Sequence, residues 1–243
     1  MREWKPVANM SDVMRDTLAA GLPALGLNLD VPVQEKLCAF ARAMVKQNEV
    51  MNLTGITEDE PVAKLHLLDS LTVAACVDLK EKTLIDVGCG AGFPGVPLAI
   101  ACPDTEVTLL DSLGKRMKWL EEVLPSLGIS AECVTARAEE AVATCRESYD
   151  VATSRAVARL NILLELTAPY VKVGGYVVAL KGSAAKEELL EAKNAIKKLG
   201  LSLVEVRDFV FDDATHGVIV LKKVAPTPAA YPRRFAKIKQ SPL

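Results

Sequence analysis

The pattern of apolar and polar residues changes near residue 80. Before that point apolar residues recur at helical spacing, as at 33, 37, 40, 41, 44 and 45, and turn residues separate the segments. The pattern predicts an N-terminal helical extension over residues 1–80. Three helices are expected in it: one from a cap at Ser11 to Ala20, one over 33–48, and one from Glu60 to about Val77.

From residue 83 onward, strand-like and helix-like segments alternate. Such alternation is typical of parallel strands joined by right-handed helical crossovers. The alternation stops at Leu203–Val210 and Val218–Lys222, two strand-like runs joined by a polar turn too short for a helix. The pattern predicts strands at 83–88, 106–110, 130–135, 149–153 and 175–180, and helices at 96–101, 114–127, 138–144, 160–171 and 184–199.

These elements make an α/β protein with a mostly parallel seven-stranded sheet and an antiparallel C-terminal hairpin. The reversed strand favours the Rossmann-like class I methyltransferase fold over a plain dinucleotide-binding fold, whose strands are more often all parallel. We expect the sheet domain to span residues 81–224 and to bind the cofactor. A basic C-terminal tail is expected to follow over residues 225–243.

Composition excludes several classes of protein. Half of the 243 residues are hydrophobic, and the net charge of −2 argues against indiscriminate nucleic-acid binding but not against a local basic surface. Six cysteines without a CxxC pair and only two histidines predict neither a metal site nor a disulfide framework. Because no apolar run reaches ~18 residues and no signal-peptide core is present, we expect a cytoplasmic chain without membrane contact. A monomer is the default expectation.

The most informative segment runs from Asp86 to Gly95, DVGCGAGFPG. An acid ends a short apolar strand, and a glycine-rich turn follows, which usually holds a nucleotide-like cofactor at the first strand of an α/β sheet. The overlapping GxGxxG from Gly90 is a weak signal for a nicotinamide cofactor. Asp86 favours S-adenosylmethionine, because a carboxylate there attracts the amino group of a methionine moiety but repels a pyrophosphate. A nicotinamide-dependent oxidoreductase is the alternative.

Polar residues also end the next strands. Asp111 ends the second, where a carboxylate accepts hydrogen bonds from both ribose hydroxyls or caps the following helix. Residues 136–140 open the helix after the third strand. In this type of fold they contact the adenine; the alternative is that they form a solvated, charged helix start. Arg155 ends the fourth strand and needs an anionic partner, such as a cofactor carboxylate or a phosphate. Lys181 ends the fifth and faces either RNA phosphate or solvent.

The helical extension carries three further polar candidates. His66 and Asp69 are three residues apart on one helix face, so they form a pair at the junction with the sheet or contact RNA. Asn52 lies in a loop rich in hydrogen-bonding groups. It either orders that loop or approaches the target base.

Short motifs over about residues 50–235 occur in the order of one known family. They are Asn52-Leu53-Thr54, His66 to Leu71, Asp86 to Gly95, Leu110 to Arg116, Ser154-Arg155-Ala156, Ala179 to Gly182, and Tyr231 to Arg234. Together they resemble the bacterial glucose-inhibited division protein B (RsmG) methyltransferases of small-subunit ribosomal RNA. The visible departure is Cys89, where the family often has threonine or serine; all three are small residues.

The resemblance implies S-adenosylmethionine-dependent methylation of nitrogen 7 of a guanine in the decoding-region (530) loop of 16S ribosomal RNA, within the small subunit or a precursor. It places the cofactor at Gly88, Phe93, Asp111, Ala138, Glu139 and Arg155, and the glycine-turn pattern adds Asp86 and Gly90. A methyltransferase of a non-ribosomal acceptor and a non-enzymatic ribosome-assembly factor are further alternatives.

The implied target determines the expected chemistry. Nitrogen 7 of guanine carries an in-plane lone pair that is unprotonated at neutral pH, so we expect catalysis by proximity and no catalytic acid or base. The candidates nearest the target base are Asn52, Arg155 and Lys181. The residues expected to position the RNA are Lys115, Arg116, Lys181, Arg233 and Arg234, together with Arg155.

Overall fold

The computed structural model describes residues 12–211 and 213–243. Seven strands form one sheet in the order β3-β2-β1-β4-β5-β7-β6. The pairs among β1 to β5 are parallel, whereas β7 runs antiparallel to both β5 and β6. The predicted seven-stranded sheet with its C-terminal hairpin is confirmed. The strands are β1 (Thr83–Val87), β2 (Glu106–Asp111), β3 (Glu132–Thr135), β4 (Tyr149–Arg155), β5 (Val171–Lys181), β6 (Leu201–Phe211) and β7 (Ala214–Lys223).

Helices cover both faces of the sheet and continue beyond its last strand. The expected cap Ser11 lies outside the described residues; the first described helix is capped by Asp12, whose side chain accepts from the Arg15 N–H. The helices are α1 (Val13–Gly21), α2 (Val31–Met51), α3 (Asp59–Val62), α4 (Asp69–Cys76), α5 (Gly95–Ala101), α6 (Gly114–Ser126), α7 (Ala138–Cys145), α8 (Leu160–Thr167), α9 (Ala185–Glu191), α10 (Lys193–Lys198) and α11 (Phe235–Gln240).

The helix expected from Glu60 to about Val77 differs from a regular α-helix. A π-helical segment, Ala63–Leu68, separates α3 from α4. The backbone carbonyl of Leu65 inside this segment accepts a hydrogen bond from the Arg155 side chain at 2.8 Å. A widened turn of this kind is common where a helix carries functional groups, and this one carries His66.

Each strand sends alternate side chains to opposite faces, so the sheet separates two hydrophobic clusters. In β1, Leu84 packs with the N-terminal helices, whereas Ile85 and Val87 pack with α8 and α10 on the other face. The helical extension and one face of the sheet thus share a single core. The boundary near residue 81 is a change of secondary structure within that core.

The segment after β7 is packed against the domain. Arg146 donates to the backbone carbonyls of Thr227, Pro228 and Tyr231, and Ile238 of α11 is fully buried. The buried Glu165 of α8 receives two hydrogen bonds from the Arg233 guanidinium, at 2.6 and 2.8 Å. These contacts hold the tail over α8. None of the helices within residues 12–211 and 213–243 has the length and apolar character needed to cross a bilayer.

Candidate functional site

The carboxyl ends of β1, β2, β3 and β4 open into a cavity of about 430 Å³. This volume falls within the range of small-molecule sites, roughly 300–1,000 Å³. A cavity at this edge is expected, because ligands of open parallel sheets bind outside the carboxyl ends of the strands. The predicted cofactor residues other than Asp86 line it: Gly88, Gly90, Phe93, Asp111, Ala138, Glu139 and Arg155.

The glycine turn forms the floor of the cavity at the end of β1. The N–H of Gly88 donates to the carbonyl of Leu110 in β2 at 2.7 Å, and the φ angle of Gly88 is 75°. A Cβ atom at Gly88 would lie 2.5 Å from Cγ2 of Val157. Only glycine therefore fits this conformation and leaves the space beside Val157 open.

Asp111, at the end of β2, is held in a fixed orientation. Its Oδ2 accepts from the N–H of Gly90 and its Oδ1 from the N–H of Leu113, both at 2.9 Å. Each carboxylate oxygen accepts more than one hydrogen bond. The carboxylate therefore joins the two loops and still has acceptor capacity for a diol in the cavity.

Asp86 lies behind the glycine turn and is fully buried. Its Oδ2 accepts from the Gly95 N–H at 2.7 Å, whereas its Oδ1 has no hydrogen-bond partner among the described residues. Burial raises the pKa of Asp86 to about 7, and the Gly95 hydrogen bond opposes that rise. A buried carboxylate oxygen without a partner fits a cationic ligand in the adjacent cavity, because such a charge stabilises the ionised form.

Five polar side chains form what we call the Asp69 cluster: Thr54, His66, Asp69, Arg155 and His216. Thr54, His66 and Arg155 line the cavity. Nη1 of Arg155 donates to Oδ2 of Asp69 at 3.0 Å, and Nδ1 of His216 lies 2.9 Å from Oδ1. Asp69 therefore supplies the anionic partner that Arg155 needs at the end of β4. His66 and Asp69, which were expected to pair or to contact RNA, both contact the Arg155 side chain.

His66 joins Arg155 to the loop before α3. Its Nδ1 lies 3.1 Å from Nη2 of Arg155 and its Nε2 lies 2.9 Å from Oγ1 of Thr54. The ring stacks on Phe93 with centroids 5.0 Å apart. Burial, followed by the charge of Arg155, lowers the pKa of His66 to about 4. His66 is therefore a neutral ring at neutral pH.

The lowered pKa of His66 predicts a specific dependence of stability on pH. In the unfolded chain His66 has a pKa of ~6.5 and is protonated below that pH, whereas in the folded chain it stays neutral down to about pH 4. The free energy of unfolding should therefore fall by about 3 kcal/mol between pH 6.5 and pH 4 because of His66. Above pH 6.5 the titration of His66 should not change the free energy of unfolding. Urea titrations of the wild type and of His66→Gln measure it: the difference between the two should change only below pH 6.5, and a constant difference would contradict the assignment.

Two of the cations expected to contact RNA have partners within the protein. Nζ of Lys181 is buried, donates to the carbonyl of Ala158, and lies 2.8 Å from Oε2 of Glu188. Arg233 is held by Glu165. Both side chains join elements of the fold, and the cost of breaking buried ion pairs keeps them there. We therefore propose that both have a structural role. Their expected contact with RNA, and the expected position of Lys181 near the target base, stay predictions.

The remaining predicted cations lie around the mouth of the cavity or on its rim. Arg116 lines the cavity, and Lys115 is exposed beside it at the start of α6. Arg234 is exposed next to Phe235, which lines the cavity from the tail. Among the described residues no group of three or more histidine, cysteine or acidic side chains is placed to hold a metal ion.

Several site residues differ from those expected. Asn52 is exposed at the end of α2 and does not line the cavity, whereas Thr54, two residues later, does. Phe235 and His216 were not predicted, because each reaches the site only through the folding of distant segments. The Asn52-Leu53-Thr54 motif was the available signal for Thr54.

Solved structures of methyltransferases share this fold. One, a putative methyltransferase from Bacillus halodurans, aligns with a TM-score of 0.53 at 15% identity, over 65% of this chain and 99% of that chain. Another is a variant of the 16S rRNA (adenine(1408)-N(1))-methyltransferase from Catenulisporales acidiphilia with its cosubstrate SAM, with a TM-score of 0.52 at 18% identity, over 62% of this chain and 88% of that chain. At these identities the likeness establishes the fold alone.

Sequence comparison is more specific. The chain matches the family described as GidB, rRNA small subunit methyltransferase G, over residues 33–214. A relative named ribosomal RNA small subunit methyltransferase G from Alkaliphilus metalliredigens is 44% identical, covering 93% of this chain and 97% of the relative. One of the same name from Clostridium botulinum is 41% identical, covering 94% and 98%. The chain therefore belongs to the GidB family of rRNA small subunit methyltransferases and is an S-adenosylmethionine-dependent enzyme.

Proposed function

We propose that this enzyme methylates nitrogen 7 of a guanine in the 530 loop of 16S ribosomal RNA. The observation that carries the proposal is the composition of the cavity. Gly88, Gly90 and Asp111 line it, and so do the neutral His66, Phe93 and Thr54. The first three residues suit an adenosine-like cofactor, and the other three offer a wall of aromatic and polar groups to a base. The family acts on small-subunit rRNA.

The residues present fit S-adenosylmethionine. Asp111 would accept from the ribose hydroxyls, and Ala138 and Glu139 line the corner beside it, where the adenine would bind. The cavity left by Gly88 and the unpartnered Oδ1 of Asp86 suit the cationic methionine part. When bound, this cofactor supplies an electrophilic methyl group on a positively charged sulfur.

The raised pKa of Asp86 predicts that cofactor binding depends on pH. With a pKa of about 7, Asp86 is protonated in a large part of the protein at neutral pH. A cationic ligand favours the ionised carboxylate, so binding should release a proton and strengthen as pH rises from 6 to 8, levelling off above. Calorimetric titration of S-adenosylhomocysteine, which keeps the amino group, in two buffers of different ionisation enthalpy measures this release. Asp86→Asn should bind with no pH dependence in this range; the same pH dependence in the variant would contradict the role of Asp86.

The expected chemistry needs positioning and no base. Nitrogen 7 attacks through a lone pair that is free at neutral pH, and it gains the methyl group together with its positive charge, so no proton has to be removed. The protein therefore contributes by holding the base close to the methyl group in the correct direction. His66 stacked on Phe93 and Arg155 fixed by Asp69 form a rigid wall suited to that task.

The accessible cations define the surface that would contact RNA. Lys115, Arg116 and Arg234 surround the cavity, and Arg137 on its rim is also exposed. With a net charge of −2 over the chain, phosphate attraction alone would be weak. We therefore infer that the substrate is a shaped RNA within the small subunit or a precursor. The enzyme is further inferred to act as a cytoplasmic monomer.

The proposal is tested by transfer of radiolabelled methyl groups to three acceptors. These are small subunits lacking the modification, naked 16S RNA, and fully modified subunits, with the product mapped by chain cleavage at 7-methylguanine. Label at one guanine of the 530 loop, absent from modified subunits, is the expected result. Absence of label from all three, with cofactor binding intact, would overturn the proposed target.

A further inference from the structure

Thr54 is the one polar side chain of the Asp69 cluster that belongs to a loop at the mouth of the cavity. Asn52 and Gly55 near it are exposed, and Thr54 itself lines the cavity together with His66 and Phe93. The loop is held in place by Asn48, whose Oδ1 accepts from the backbone N–H of Thr54 at 2.8 Å. The hydroxyl is therefore fixed relative to the cavity.

The hydrogen bonds around His66 settle the direction in which the Thr54 hydroxyl donates. Nη2 of Arg155 has only hydrogens to offer, so Nδ1 of His66, 3.1 Å away, must be an acceptor without a proton. The single proton of the neutral ring is then on Nε2, which donates to Oγ1 of Thr54 at 2.9 Å. The low pKa of His66 agrees with this neutral form.

Oγ1 of Thr54 accepts a second hydrogen bond, from the backbone N–H of Ile56 at 3.0 Å. A hydroxyl oxygen has two lone pairs and one hydrogen. Because His66 and Ile56 occupy both lone pairs, Thr54 meets a ligand as a donor only. The charge of Arg155 is already balanced by Asp69, so this donor stands in a neutral part of the wall and suits a neutral carbonyl oxygen.

Guanine and adenine differ in the group on carbon 6, which lies next to nitrogen 7 on the same edge of the base. Guanine carries oxygen 6, an acceptor, whereas adenine carries an amino group, which donates. We propose that the Thr54 hydroxyl donates to oxygen 6 of the target guanine and thereby selects guanine over adenine. This inference rests on the proposed function. If adenine bound at the same place, its amino group and the Thr54 hydroxyl would both be hydrogen-bond donors that face each other. Neither donor would have an acceptor, which disfavours the binding of adenine.

The inference is tested by a double-mutant cycle between the protein and the RNA. The protein variants are Thr54→Val, which keeps the shape and loses the hydroxyl, and Thr54→Ser, which keeps the hydroxyl. The RNA carries either guanine or 2-aminopurine at the target position; the latter keeps nitrogen 7 but lacks oxygen 6. Small subunits containing each RNA are methylated under single-turnover conditions, and cofactor binding is measured separately by calorimetry.

We expect the wild type and Thr54→Ser to methylate 2-aminopurine about ten-fold less efficiently than guanine, the size expected of one hydrogen bond. Thr54→Val should lose about ten-fold on guanine and show no preference between the two bases, with cofactor affinity unchanged. If Thr54→Val does not fold, Thr54→Ala, which also lacks the hydroxyl, takes its place in the cycle.

Three results would overturn the inference. Equal rates of the wild type on both bases would show that oxygen 6 is not recognised. An unchanged preference for guanine in Thr54→Val would show that another group reads the base. Weaker cofactor binding by Thr54→Val with its base preference intact would assign the hydroxyl to the cofactor. The proposed function itself fails on a different result, which is the absence of methylation at nitrogen 7 of the 530-loop guanine in unmodified subunits that contain it.

Discussion

Replacing Asp69 with alanine is expected to lower the free energy of unfolding by about 3–5 kcal/mol and to reduce methyl transfer by about 100-fold. Asp69 is 5% exposed, and its two oxygens hold Arg155 at 3.0 Å and His216 at 2.9 Å. Its removal leaves the Arg155 guanidinium half-buried without a counter-charge. Transfer falls because Arg155 and His66 then lose the arrangement that forms the wall of the cavity.

Urea denaturation and single-turnover methylation measure these two effects. The matched control is Asp208→Ala, which removes an exposed carboxylate that lies 2.7 Å from Nζ of Lys186. An exposed pair contributes at most about 1 kcal/mol, so this variant should retain both stability and activity. If Asp69→Ala lowered the free energy of unfolding by no more than Asp208→Ala does, the contacts of Asp69 with Arg155 and His216 would not stabilise the fold.

Replacing Asp111 with alanine is expected to weaken S-adenosylmethionine binding by about 100-fold. Hydrogen bonds to a charged group contribute about 1.5–3 kcal/mol each, and the carboxylate would accept from the ribose hydroxyls of the cofactor. The substitution also removes the acceptor for the N–H groups of Gly90 and Leu113, which orient the two loops of the cavity. Both losses act on cofactor binding, so KM for the cofactor should rise more than kcat falls.

Calorimetry with S-adenosylhomocysteine measures the affinity directly. Glu121→Ala, which removes an exposed carboxylate from α6, is the control for a general loss of negative charge near this edge. Its affinity should match that of the wild type. An Asp111→Ala affinity within three-fold of the wild type would mean that the cofactor binds elsewhere in the cavity.

The sequence predicted the sheet and the edge at which the cavity lies, because both depend on local patterns. In β1, β2 and β4 a polar residue lies at or near the carboxyl end of the strand: Asp86, Asp111 and Arg155. Parallel strands bring these ends together at one edge of the sheet. The glycine turn was predictable for the same reason, since its spacing and its acid belong to one short segment.

The partners of these residues could not be predicted, because they lie far apart in the chain. His216 is 147 residues from Asp69, and Arg155 is 86 residues from it. A basic residue in sequence looks equally suited to RNA and to an internal ion pair, so the ion pairs of Lys181 and Arg233 could not be predicted. Only the fold shows that Glu188 and Glu165 hold them. Phe235 reaches the cavity because the tail packs over α8, a contact without a local signal.

We propose that this cavity transfers a methyl group to nitrogen 7 of guanine by positioning alone. The decisive experiment is the single-turnover rate of the saturated complex with unmodified small subunits between pH 6 and 9, with the product nucleoside identified by mass spectrometry. We expect 7-methylguanosine, formed at a rate that changes by no more than about two-fold across this range, because no side chain removes a proton. A different methylated nucleoside, or a rate that rises about ten-fold per pH unit to a plateau, would contradict it.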